Sequence, residues 1–194
     1  MRTAKLFRSL SFRFRLFRAR TEGSMSVEAV LILPLLVWWY VAAFQFFEAF
    51  RERTVNEKAA FTITDMITRE TLPVDANYID GMGTVFDYLT NSDEQTWVRV
   101  TSVRWNDNDK VHNVEWSYAT RSQDTYNNGS IKQVANRIPA MAPNDTVVIV
   151  ETHSSLAPIF EVGVSYLDFD QFVVMRPRFV PAVLWGDRSG NMSG

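Results

Sequence analysis

The sequence predicts an α+β protein in which a long N-terminal helix crosses a membrane, continues as a stalk and packs on a small antiparallel sheet. Three observations predict it. Nineteen uncharged residues separate Glu28 from Glu48, and no glycine or proline interrupts residues 35–72. After Pro73, short alternating runs are bounded by turn residues, the pattern of half-buried strands.

The 194 residues allow one modest domain plus appendages. Residues 1–23 hold seven of the 20 basic side chains and one of the 22 acidic ones, which leaves 13 basic against 21 acidic in the remainder. A basic tail on an acidic body suggests two compartments or two partners. No cysteine is present, which excludes disulfides, thiolate nucleophiles and cysteine-based metal sites.

The uncharged run, AVLILPLLVWWYVAAFQFF, spans roughly 28 Å as a helix, close to the hydrocarbon thickness of a bilayer. Seven basic residues precede it, whereas Arg51, Arg53 and Lys58 behind it are offset by acidic neighbours, so the N-terminus faces the cytoplasm. Trp38, Trp39 and Tyr40 lie near mid-span, too deep for an interfacial belt, and read as a face for other helices or for lipid. Pro34 removes one backbone hydrogen bond and predicts a kink.

The tail is polybasic, with Phe7, Phe12, Phe14 and Phe17 interleaved, and it ends at Gly23 before the apolar stretch. A secretory signal places its small-residue cleavage site after the apolar core, where Val41-Ala42-Ala43 fits poorly. The better boundary is Gly23, followed by Ser24-Met25-Ser26-Val27-Glu28 and an apolar run containing Pro34. Here the sequence resembles type IV prepilins and pseudopilins. The resemblance implies that a prepilin peptidase cuts on the cytoplasmic side between Gly23 and Ser24, and that the new Ser24 amine pairs with Glu28 of a neighbouring subunit. A carboxylate at the edge of a span has an insertion cost, up to about 2.5–3.5 kcal/mol at full depth. Pairing would explain its presence; a helix-capping role after Ser26, favourable to the macrodipole, is the alternative.

Further along, the Leu33-Pro34 step, Ile63-Thr64-Asp65-Met66-Ile67-Thr68-Arg69, the stretch 98–105 and Met175-Arg176-Pro177-Arg178-Phe179 are similar to the TadE/TadF-like pseudopilins of Tad (Flp-type) pilus machines. Two departures stand out: Ala29 occupies the place of a tyrosine in major Flp pilins, and Ser24 that of the phenylalanine common in conventional type IV pilins. What the resemblance implies is a minor, pilin-like subunit in the inner membrane, with a periplasmic domain, acting in pilus assembly and adhesion. Its partners would be the membrane, the prepilin peptidase and other pilins and pseudopilins. An uncleaved single-pass binding protein of the cell envelope is the alternative.

The segments expected are a basic leader at 1–23, a transmembrane helix at 24–47, a helical stalk at 48–72 and an exported α+β domain at 73–194. Val55, Ala59, Ile63 and Met66 form an apolar stripe at helical spacing, for the domain behind it or for a coiled-coil partner. A second helix is expected at 77–89 and strands at 96–105, 111–120, 146–152 and 171–179. Asn106-Asp107-Asn108-Asp109 marks a hairpin turn, residues 131–138 a short helix and 186–194 a loose tail.

The chemistry of a catalyst is missing from the sequence. His112 and His153 are the only histidines, in no metal-ligand spacing, and no nucleophile elbow or phosphate loop occurs. No enzyme activity, cofactor or metal is expected. Topology accounts for the basic tail without nucleic acid. Arg176 and Arg178 flank Pro177 at a strand end, as a partner surface or as edge protection.

Overall fold

The computed structural model describes residues 24–91, 96–156 and 167–187. The chain divides into two compact units at Phe46/Phe47. Helix α1 (Ser24–Thr68) supplies the described part of the first unit and runs on into the second.

In the first unit, α1 is long and apolar enough to cross a membrane. Val30, Leu31, Leu33, Leu35 and Leu36 are all exposed, a surface that water solvates poorly and hydrocarbon accepts. The helix continues through Pro34 unbroken. The proline ring has no N–H, so the Val30 carbonyl lacks its usual donor there.

In the second unit, the face of α1 turned inward carries Asn56, Ala59, Ala60, Ile63, Thr64, Ile67 and Thr68. Ala59 and Ile63 belong to the expected stripe, but Met66 is 39% exposed and Ile67 is buried in its place. The buried polar members of this face bond back to their own helix, Asn56 to the Glu52 carbonyl and Thr64 to that of Ala60, which lets them sit against a core. The helix ends at Thr68, four residues short of the expected limit. Leu72 precedes Pro73, which disfavours helical backbone, and the Arg178 N–H takes the Thr68 carbonyl at 2.9 Å.

Helix α2 (Ala76–Thr90) starts at Asp75, whose carboxylate accepts the Tyr78 N–H at 2.8 Å, and ends at Asn91 in the left-handed region. It buries Ile79, Met82, Phe86 and Thr90 along one face. Four strands follow: β1 (Trp97–Asn106), β2 (Val111–Ala119), β3 (Thr146–Leu156) and β4 (Leu167–Met175). They form one sheet in the order β2-β1-β3-β4, and every neighbouring pair is antiparallel. A register shift at Ser102/Val103 bends the β1–β2 pair.

The sheet is covered on both faces. Val98, Val100, Val148 and Val150 share a core with Ile63 and Ile67 of α1 and Ile79 and Phe86 of α2. On the other face Val103, Val147 and Ile149 pack on Ile131 and Ile138 of the β2–β3 connector. Within that connector two 3-10 turns, Ser130–Gln133 and Ala135–Arg137, stand where one short helix was expected, and a third, Thr120–Ser122, directly follows β2. β4 also begins and ends earlier than expected, because residues 176–187 leave the sheet as a strap. The strap pairs Trp185 with Val74, and the Val74 N–H takes the Leu184 carbonyl at 2.8 Å.

Candidate functional site

Of the residues singled out in the sequence, Gly23 lies outside the described residues, and Ser24 is the first residue of α1. Glu28 follows Ser24 by four residues, and Pro34 lies further along the same helix. Met25, Glu28, Ala29, Ile32, Leu33 and Leu36 line one open groove on the helix surface, a face set by their spacing of three and four. Glu28 is exposed within this apolar surface, and no cation among the described residues lies within ion-pair reach of it. Ser26 lies within the described part of the helix, and Glu28 follows it by two residues. Glu28 is a carboxylate on an apolar face, chemically suited to a cationic partner.

Trp38, Trp39 and Tyr40 are 57%, 66% and 72% exposed. Successive helical residues point about 100° apart, so these rings wrap more than half of the circumference and do not form a single packing face. In the second unit, Phe47, Phe50 and Phe61 of α1 point outward, whereas Glu52 is half-buried and Asn56 buried. Burial pushes the Glu52 carboxyl above its usual range. A helix that shows phenylalanine to solvent and turns polar side chains inward presents a surface fit for an apolar partner.

Several charged groups of the sheet are paired internally, whereas Ser102 Oγ on β1 and Thr152 Oγ1 on β3 are buried without a hydrogen bond. Arg99 reaches Glu151 at 2.7 Å, the Asp124 carbonyl at 2.9 Å and the Tyr126 hydroxyl at 3.2 Å, and its guanidinium lies over the Tyr126 ring. This cluster pins the β2–β3 connector to the sheet, and no sequence pattern announced it because its members come from three distant segments. His153 pairs with Asp170 at 2.7 Å under the Trp97 ring. His112 packs against Trp105, and burial holds its imidazole below the ordinary pKa. Asp107 pairs with Lys110 and Asp109 with Asn106 inside the hairpin turn. Among the described residues no group of three His, Asp or Glu side chains is placed to hold a metal.

Arg176 and Arg178 lie at the surface, each side chain more than half exposed. Arg176 pairs with Asp145 at 2.7 Å and Arg178 with Asp65 at 2.8 Å, so both secure the strap. Beside the strap, an apolar cleft of about 310 Å³ is lined by Leu72, Val180, Pro181 and Leu184. Compared with models of protein families, with curated proteins and with solved structures, this chain matched none.

Proposed function

We propose that this chain is a minor, TadE/TadF-like pseudopilin that acts in assembly of a Tad/Flp-type pilus by binding other subunits, without catalysis. Glu28 carries the reading: a carboxylate on an exposed apolar helix face, one helical turn from Ser24, without an ion-pair partner among the described residues. A prepilin peptidase cuts between Gly23 and Ser24 and creates the amine that Glu28 lacks. In the class that the chain resembles, the pairing is made between neighbouring chains, where removal from water strengthens the attraction. The exposed Phe47, Phe50 and Phe61 support contact with neighbouring helices, and a long helix on an antiparallel sheet agrees with a pilin-like build. In this reading the chain sits in the inner membrane with its N-terminus cytoplasmic and its domain periplasmic, an orientation that the charge asymmetry supports.

N-terminal sequencing with intact mass, on protein from membranes of cells with and without the peptidase, tests the processing step. A chain starting at Ser24 only when the peptidase is present supports it. Glu28→Ala then removes assembly but leaves cleavage intact; normal assembly by that variant ends the pairing account. A chain that keeps residues 1–23 in both cells supports the second reading, an uncleaved envelope binding protein, which the apolar cleft beside the strap favours.

A further inference from the structure

The β2–β3 connector contains the sequence's single Asn-Gly step, Asn128-Gly129. Asn128 Oδ1 accepts the Val114 N–H at 2.7 Å, occupying a donor on the outermost strand β2. Asn127 Oδ1 accepts the N–H groups of Gly129 at 2.8 Å and Ser130 at 2.9 Å, while the Asn127 N–H donates to Ser130 Oγ at 2.9 Å. A Cβ on Gly129 would stand 3.1 Å from Asn127 Oδ1, so a glycine lets this turn close.

We propose that Asn128 is a site of spontaneous deamidation that Asn127 and Val114 hold unreacted in the folded protein, an inference independent of pilus assembly. In this reaction the Gly129 backbone nitrogen loses its proton and attacks Asn128 Cγ. The Cγ–Nδ2 bond breaks, ammonia leaves and a five-membered succinimide forms. Water then opens the ring to aspartate or isoaspartate, so one water is consumed for each ammonia released and nothing is oxidised. Glycine leaves the attacking nitrogen unhindered, which makes this step the most open to the reaction in the chain.

In the fold both reacting groups are committed elsewhere. The attacking nitrogen donates its proton to Asn127 Oδ1, and the carboxamide is drawn to the edge of β2 by Val114. Ring closure therefore waits for the loop to open. Isoaspartate would add a methylene to the backbone and withdraw the acceptor from Val114, uncovering an edge donor of the kind that templates strand pairing.

The test incubates the full chain in detergent and mildly alkaline buffer, folded and in denaturant, with mass mapping of the peptide that contains Asn128. The folded protein should react at least about tenfold more slowly than the denatured chain, equivalent to about 1.4 kcal/mol of loop opening. Asn127→Ala should recover most of that difference, whereas Asn127→Asp, which keeps the acceptor oxygen, should stay protected. Hydrogen exchange at the Val114 amide should quicken in the isoaspartate fraction. Equal rates in the folded and denatured wild type overturn the proposal, as does fast reaction in a folded Asn127→Asp.

Discussion

Asp65 on α1 and Arg178 on the strap stand 2.8 Å apart, and Asp65 holds Arg69, the residue just past that helix, at the same distance. The contact joins two sequence stretches that lie more than a hundred residues apart. The Arg178 N–H on the Thr68 carbonyl completes the tie. Because the Arg178 side chain is half exposed, the ion pair itself contributes little, and a double-mutant cycle of Asp65→Ala with Arg178→Ala should give a coupling of about 0.2–1 kcal/mol by denaturant unfolding. No coupling would leave the backbone bond as the strap's tie to α1.

Gly81 and Gly83 sit in the same helix and should respond differently to alanine. A Cβ at Gly81 points into open space, so Gly81→Ala should stabilise by about 0.5–1 kcal/mol through helix propensity alone. At Gly83 the new carbon would meet Thr120 Cγ2 at 3.2 Å, and Gly83→Ala should lose most or all of that gain. Thermal unfolding of the two variants side by side reads the difference.

Phe86 and Phe61 separate stability from assembly. Phe86 is fully buried between α2 and the sheet, and its replacement by alanine should cost about 3–5 kcal/mol. Phe61 is 46% exposed, so Phe61→Ala should shift stability by less than about 1 kcal/mol. In cells Phe61→Ala should still lower co-purification with neighbouring subunits. Wild-type co-purification would remove that ring from the proposed contact surface.

His112 should make stability fall in mild acid. Burial lowers its folded pKa below the ordinary value of 6.5, so the unfolded chain binds the proton first. Stability from this group is therefore complete above pH 6.5 and is lost as pH falls from there through the folded value. Nuclear magnetic resonance titration should find the midpoint below 6.5, and His112→Gln should flatten the stability profile across that window. A midpoint at or above the ordinary value would contradict the assigned burial.

Local signals were read well where the chain's own neighbours decide the outcome. The hairpin turn at Asn106 to Lys110, the strand β2 and the helix α2, expected at 77–89 and found at Ala76–Thr90, all depend on residues a few positions apart. Glu28 stood out for the same reason, as a charge beside an unbroken apolar run. The errors came where a distant segment intervened. Residues 171–179 read as one strand, yet β4 stops at Met175, and Arg178 beyond its end pairs with Asp65.

By itself the sequence determined the α+β class, the apolar span, the charge asymmetry around it and the antiparallel sheet, because hydrophobic periodicity and turn chemistry act over short distances. Only the tertiary structure decided where α1 ends, which carboxylates Arg176 and Arg178 pair with, that Ile67 replaces Met66 in the core, and that Arg99 clamps the connector. Each of these is settled by partners brought together from far along the chain. Spacing within a segment carries no information about which distant carbonyl or carboxylate will satisfy its donors.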